Sequence, residues 1–218
     1  MKQILNKRLK TLSAFINNNE CVLDIGCDHG LLGIYLVLNK EDIKVISSDI
    51  NEKPLRKAKE NIIKYHLEDK IETRLGDGLT VVSSDINTIV ISGMGCETII
   101  NILSTINNYP NITKLVLSPN NDFPLLRKEL TKLGFCIVKE KMVCENNKYY
   151  LISEFKKGNE KVDYYFGKLD LDDDVVKEYF KFVYDKNLRI LSKLSKKNKN
   201  KIDELLKEND KIKNNLLK

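Results

Sequence analysis

The chain has 218 residues, of which 42% are hydrophobic and 31% charged, and its formal net charge at pH 7 is +6. This length suits one sizeable domain with an appendage, and the composition is that of a globular protein rather than a disordered or fibrous one. No stretch approaches the roughly 18 consecutive apolar residues that a membrane helix needs, so we expect no membrane span.

Strands and helices alternate in the prediction as far as residue 155. Helices are predicted where apolar residues recur at helical spacing, and strands where short apolar runs end in glycine or polar residues. The predicted helices are residues 3–16, 31–39, a segment from Pro54 to about 65, a segment from Glu97, and 123–133. The predicted strands are 21–25, 44–50, one within 70–79, 87–95, 114–120, and a hairpin in 135–155 around residues 145–147.

This order of elements predicts an α/β fold of the Rossmann-like type. Such a fold has a mostly parallel sheet covered by helices on both faces, here ending in an antiparallel hairpin. From about residue 159 the pattern changes to two amphipathic helices joined by the polar link SKKNKN at 195–200, which predicts a helical hairpin. We therefore divide the chain into a sheet domain, 1–158, and a C-terminal helical hairpin, 159–218.

The cysteines predict a reducing environment. There are five, an odd number, and no two form a CxxC pair, so free buried thiols in the cytoplasm are expected. The two histidines, His29 and His66, lie near no cysteine pair, so we expect no metal site.

Acidic residues follow three successive predicted strands. The first strand runs into DIGCDHG, residues 24–30, in which Gly26 and Gly30 would let the backbone approach a ligand. Asp49 ends the second strand, where a carboxylate can take the two hydroxyls of a ribose, and Asp77 follows the third, where it can bond an adenine amino group. The alternative is that these acids are helix caps or solvated loop residues.

The glycine spacing distinguishes between two nucleotide cofactors. The dinucleotide pattern is GxGxxG, whereas residues 24–30 are closer to the ExGxGxG loop of class I methyltransferases with the central glycine replaced. We therefore expect S-adenosyl-L-methionine as the cofactor. The residues expected to bind it are Asp24, Gly26, Asp28, Asp49, Ile50, Asp77, Gly78, Gly93 and Met94.

Three motifs, DIGCDHG, SGMG and LSPN, occur in an order that resembles the bacterial tRNA (adenine-22-N1)-methyltransferases. The opening LNKRLKTLSAFI and the C-terminal helical hairpin are also similar to that family. The resemblance implies a class I fold, S-adenosylmethionine as donor with S-adenosylhomocysteine as product, and transfer to N1 of an adenine in the D arm of tRNA. Cys96 and Ser118 depart from the family's glycine and glutamine, and Ser118 leaves the role of the 118–120 turn open.

Three residues are the expected catalytic set. Asp28 could bind the cofactor's ammonium or the cation that develops on adenine, and His29 could bond the base or a phosphate, or only cap a helix. Asn120 is expected to hydrogen-bond the base. The residues expected to bind the substrate are Gly95, Pro119, Asn120, Lys7 and Arg8, with further phosphate contacts from Lys193, Lys196, Lys197, Lys199 and Lys201.

Several alternatives stay open from the sequence. The glycines of SGMG could line the acceptor pocket or only shape a turn, and the lysine clusters could be an ordinary solvated surface. The enzyme could also methylate another RNA base or a small molecule, or the protein could be a non-catalytic RNA binder with a nucleoside pocket. We expect a monomer that binds tRNA.

Overall fold

The computed structural model describes residues 6–195 and 197–216. In this part of the chain the strands are β1 Cys21–Ile25, β2 Lys44–Asp49, β3 Ile71–Leu75, β4 Thr88–Ser92, β5 Lys114–Ser118, β6 Phe135–Glu145 and β7 Lys148–Lys157. The helices are α1 Lys7–Ser13, α2 Leu31–Asn39, α3 Glu52–Lys64, α4 Cys96–Leu103, α5 Phe123–Lys132, α6 Asp174–Leu191 and α7 Lys199–Leu216.

The strands form one sheet in the order β3-β2-β1-β4-β5-β7-β6. The first five strands pair in parallel, and β7 runs antiparallel between β5 and β6. The strand order reverses between β1 and β4, which is where open α/β sheets bind ligands. This architecture confirms the predicted α/β class, the parallel sheet and its closing hairpin.

Both faces of the sheet are covered by apolar side chains. Successive residues of a strand point to opposite faces, so Leu23 packs into one hydrophobic cluster and Val22 into the other. The same alternation places Ile89 on one side of the sheet and Val90 on the other. Helices cover both faces of a parallel sheet in this way, which explains why these strands read as unbroken apolar runs.

The opening helix is shorter than the prediction of 3–16. It ends at Ser13, after which the amides of Phe15 and Ile16 bond to carbonyls three residues earlier, a tighter turn than an α-helix. This turn buries both side chains in the core, which explains why their spacing still looked helical. Two predictions lie outside the described residues: the first residues of the predicted opening helix, 3–5, and Lys196 of the lysine cluster.

The chain divides into two compact units, one ending at Lys168 and the other starting at Leu169. In the second unit α6 and α7 form the predicted helical hairpin, with Val176, Phe180, Leu205 and Ile212 buried. A buried amide pair also joins the helices, since Asn187 Nδ2 donates to Asn209 Oδ1 at 3.0 Å. The assignment of separate functions to 1–158 and 159–218 stays a prediction.

None of the helices in the described ranges has the length and apolar character needed to cross a lipid bilayer.

Candidate functional site

A cavity of about 580 Å³ opens at the carboxyl ends of the central strands. Its walls come from the segments after β1, β2, β3 and β4, with contributions from α1 and α4. The predicted site residues that line it are Arg8, Asp24, Gly26, Asp28, His29, Asp49, Ile50, Asp77, Gly78, Gly93 and Met94. The cavity lining does not include Lys7, Gly30, Gly95, Pro119 and Asn120, and the roles predicted for these residues stay predictions.

Two buried carboxylates lie at the bottom of this cavity. Asp24 is 4% exposed and Asp49 is 9% exposed, and Asp49 Oδ1 accepts a hydrogen bond from the Asn51 amide at 2.9 Å. Burial, with a smaller contribution from the charge of Asp49, raises the pKa of Asp24 to about 7. Because no cationic side chain among the described residues pairs with Asp24, a positively charged ligand group would stabilise its ionised form.

The turn after β1 favours glycine at position 26 because its backbone is in the left-handed region. Gly26 has φ +75°, and a Cβ there would overlap the terminal methyl of Met94. The amides of Gly26 and Cys27 both donate to the carbonyl of Ser48, at 2.9 and 3.0 Å. These bonds tie the ends of β1 and β2 together and fix the distance between Asp24 and the residues after β2.

Asp28 and His29 form the outer edge of the same turn. Asp28 has φ +50°, the left-handed conformation that glycine usually supplies but that aspartate tolerates better than most residues. Its side chain is 76% exposed, and Oδ1 lies 3.5 Å from His29 Nε2. Asn61 of α3 holds the turn from outside, since its Nδ2 donates to the His29 carbonyl at 2.9 Å.

Gly30 serves the packing of helices rather than the cavity. It has φ +67° at the start of α2, and a Cβ there would come within 3.0 Å of the Ala58 Cβ in α3. Gly30 was expected from the sequence to let the backbone approach a ligand, but it is not part of the cavity lining.

Two asparagines after β5 hold the opposite wall of the cavity. Asn120 Nδ2 donates to the Gly93 carbonyl at 2.6 Å, and its backbone amide donates to the Met94 carbonyl at 2.9 Å. Asn121 Oδ1 accepts from the Cys96 amide at 2.9 Å, at the start of α4. The SGMG turn is therefore fastened by side chains and backbone of the neighbouring loop.

Arg8 brings a positive charge into the cavity from α1. Its guanidinium lies over the Tyr150 ring, 5.0 Å from the ring centre, and a Cβ at Gly93 would come within 3.3 Å of Nη1. Lys7 instead contacts the β6–β7 hairpin, where its Nζ donates to the Cys144 carbonyl at 3.3 Å. The adjacent basic residues thus face different surroundings, and only Arg8 of this pair is available to a ligand in the cavity.

Several residues of the site were not predicted from the sequence. Thr98 and Ile102 line the cavity from α4, and their separation of four residues marks one helix face, a signal that was available. Asn61, Asn121 and Tyr150 act on the site from other elements, and no local pattern marks them.

The cavity fits S-adenosylmethionine by its size and its donor set. Its volume lies within the roughly 300–1,000 Å³ of small-molecule sites. Asp49 and Asp77 are acceptors for ribose hydroxyls and an adenine amino group, and Asp24 offers a buried negative charge to a cationic group. Gly26 lines the cavity without a side chain, so a ligand can approach its backbone.

Comparisons with known proteins agree with this fit. A family model described as a methyltransferase domain matches residues 5–153. The tRNA (adenine(22)-N(1))-methyltransferase of Bacillus subtilis is 32% identical over 162 residues, which are 73% of this chain and 68% of that protein.

Two solved structures with a bound cofactor are similar over nearly the whole chain. Streptococcus pneumoniae Sp1610 in complex with S-adenosyl-L-methionine has a TM-score of 0.88 at 29% identity, covering 97% of this chain and 99% of that one. M. capricolum TrmK in complex with S-adenosyl-homocysteine has a TM-score of 0.85 at 27% identity, covering 97% of both chains.

Proposed function

The chain belongs to the tRNA (adenine-22-N1)-methyltransferase family, and we propose that it transfers a methyl group from S-adenosylmethionine to N1 of adenine 22 in the D arm of tRNA. One observation carries the proposal: Asp24, Asp49 and Asp77, which lie at or next to the carboxyl ends of three different strands, line a single cavity together with the Gly26 turn. This is the set of acceptors that an adenosyl ligand with a cationic amino-acid tail requires.

One side of the cavity is proposed to bind the methyl donor. S-adenosylmethionine, when bound, supplies a methyl group on a positively charged sulfur. Asp49 would bind the ribose hydroxyls, and Asp77 with Gly78 would contact the adenine. Ile50, which is 60% exposed in the cavity, offers an apolar surface to the adenine face. Asp24 would hold the ammonium, because its carboxylate is buried in the cavity and pairs with no cationic side chain of the described residues.

The acceptor side is assigned to the outer edge of the cavity. Adenine N1 carries a lone pair and needs no deprotonation, so the protein's task is to hold the base with this atom toward the methyl group. N1 is normally paired or stacked, so the base must be extruded into the site. The exposed carboxylate of Asp28 would stabilise the positive charge left on the methylated base, and His29 beside it would bond the base or its phosphate.

The helical hairpin, residues 159–218, is proposed to position tRNA. Lys193, Lys197, Lys199 and Lys201 are exposed near the link between α6 and α7, where they can contact phosphates. Because bacterial tRNA is a cytoplasmic molecule, this substrate implies a cytoplasmic enzyme. The monomeric state stays a prediction.

The test is methyl transfer to unmodified tRNA transcripts. The enzyme is incubated with labelled S-adenosylmethionine and either a transcript with adenine at position 22 or a matched transcript with guanine there. We expect 1-methyladenosine in the nuclease digest of the first transcript and no label in the second. Label on another nucleoside, or equal label in both transcripts, would contradict the assignment.

A further inference from the structure

A buried ion pair lies in the sheet domain, and the cavity's lining does not include it. Arg127 of α5 and Glu140 of β6 are 1% and 0% exposed at their side chains, with Arg127 Nε donating to Glu140 Oε1 at 3.0 Å. We infer that this pair is a positioning element for tRNA, because it clamps the last residues of the first unit, from which the helical hairpin continues. The inference rests on the proposed function.

The remaining hydrogen bonds of the pair go mainly to one short segment, residues 164–168. Arg127 Nη1 donates to the carbonyls of Tyr164 and Tyr165, at 2.9 and 2.7 Å. Glu140 Oε2 accepts from the Lys168 amide at 2.8 Å. Both charges are therefore used on the backbone of the same segment, which we call the clamped segment.

Glycine is required where the clamped segment meets the pair. Gly167 has φ +63°, and a Cβ there would overlap both Glu140 Oε2 and the Arg127 guanidinium. The Gly167 amide donates to the Asp163 carbonyl at 2.7 Å, which closes a tight turn over the pair. The side chain of the neighbouring Phe166 is buried, so the segment is also held by an apolar contact.

Stability alone does not account for this pair. The free energy needed to remove two charges from water often exceeds the attraction between them in a buried ion pair. Two apolar side chains of similar volume often stabilise the folded state equally well. In addition, Arg127 Nη2 is buried without a hydrogen-bond partner among the described residues. An apolar pair could not hydrogen-bond the two carbonyls and one amide of the clamped segment. The charged pair therefore fixes the position of that segment.

The consequence concerns tRNA rather than the cofactor. The clamped segment ends at Lys168, the last residue of the first unit, and the second unit, which contains α6, α7 and the exposed lysines, starts at the next residue. Loosening the segment should weaken the placement of tRNA by the hairpin. Because Arg127, Glu140 and Gly167 are outside the cavity lining, cofactor binding should be retained.

The test compares two clamp variants with one matched control. Gly167→Ala inserts a methyl group into the clamp, and Arg127→Met combined with Glu140→Leu removes the hydrogen bonds without leaving an unpaired buried charge. Gly134→Ala is the control, since Gly134 also has a positive φ of +83° but a Cβ there meets nothing within 4 Å. The readouts are kcat/KM for tRNA, S-adenosylhomocysteine affinity by calorimetry, and the rate of limited trypsin cleavage at Lys161 and Lys168.

We expect kcat/KM for tRNA to fall about tenfold or more in both clamp variants, while cofactor affinity stays within about twofold. Trypsin should cleave at Lys161 and Lys168 faster in both, and Gly134→Ala should resemble the wild type in all three readouts. The inference is overturned if both variants keep wild-type kcat/KM, or if cofactor affinity falls in the same proportion as kcat/KM. Absence of methylation by the wild type would instead overturn the proposed function, and tRNA filter binding would then replace kcat/KM.

Discussion

The side-chain amide of Asn120 donates a hydrogen bond to the backbone carbonyl of Gly93 at 2.6 Å. Its own backbone amide donates to the Met94 carbonyl, so the residue holds the turn on the acceptor side of the cavity at two points. This amide was expected from the sequence to bond the base. In the structure one N–H of this amide bonds the Gly93 carbonyl, so Asn120 also positions Gly93 and Met94, while its expected bond to the base stays a prediction.

The first prediction follows from that bond. Asn120→Asp replaces the donating amide with a carboxylate facing the Gly93 carbonyl, so the turn should shift away and kcat/KM for tRNA should fall about 10- to 100-fold. Asn107→Asp is the control, because Asn107 is exposed and outside the cavity lining. Steady-state kinetics with saturating S-adenosylmethionine measures the effect, and equal activity of the two variants would refute the positioning role.

The second prediction concerns the charge of Asp28. Asn is as tolerant of the left-handed conformation as Asp, so Asp28→Asn should keep the φ +50° backbone while removing the negative charge. We expect kcat to fall at least about 100-fold, because the charge left on adenine is no longer stabilised, with little change in S-adenosylhomocysteine affinity. Asp28→Ala should abolish turnover. A variant with the wild-type rate would remove Asp28 from the mechanism.

The third prediction concerns which anion Arg8 binds, an RNA phosphate or the carboxylate of the methyl donor. An RNA phosphate is the expected partner, so Arg8→Ala should raise the KM for tRNA and reduce the salt slope of tRNA binding by about one. Arg56→Ala is the control, since Arg56 is exposed and paired with Glu60. If cofactor affinity falls instead, with the salt slope unchanged, Arg8 binds the donor's carboxylate and the phosphate assignment is wrong.

The fourth prediction uses the raised pKa of Asp24, about 7 in the ligand-free protein. Below pH 6 the carboxyl is mostly neutral, and binding a cationic ligand then requires loss of its proton. The affinity for S-adenosylhomocysteine, which carries an ammonium, should therefore rise about tenfold from pH 6 to pH 8 and then level off. Calorimetry on Asp24→Asn should show weaker binding with no such rise, and a pH-independent wild type would contradict the assignment.

The raised pKa of Asp24 also affects the free energy of unfolding. This free energy should fall as the pH rises, whereas the affinity for the cofactor product should increase. Asp24 titrates near its ordinary 3.8 when unfolded and near 7 when folded, so the folded state holds the proton more tightly between these values. The ligand-free protein should lose about 1–4 kcal/mol of stability from this group as the pH rises from 4 to 7. Denaturant unfolding of the wild type and Asp24→Asn over this range would measure the difference.

Much of the fold could be predicted because each local signal agreed with the tertiary structure. The helix over 31–39 and the strands over 21–25 and 114–118 have strong periodic or unbroken apolar patterns, and packing used the same faces. The acids at three strand ends were also predictable, since parallel strands bring their carboxyl ends to one edge of the sheet.

The rest depends on contacts between distant parts of the chain. Nothing local shows that Asn120 points to Gly93, or that Arg8 stacks on Tyr150 of β7. Residues Phe15 and Ile16 continue a helical spacing past the real end of α1, because burial in a tight turn produces the same apolar pattern. No local pattern marks Arg127 and Glu140 as a buried pair, because they come from different elements that only the tertiary structure brings together.

The account depends most on a single cofactor site formed by Asp24, Asp49 and Asp77. Its most direct test is calorimetric titration of S-adenosylhomocysteine into the wild type and into Asp49→Ala. We predict one molecule bound per chain with a dissociation constant on the order of micromolar, weakened at least about 100-fold in the variant by loss of the charge-assisted ribose contacts. Absence of binding to the wild type, or equal affinity in both proteins, would contradict the assignment of this cavity.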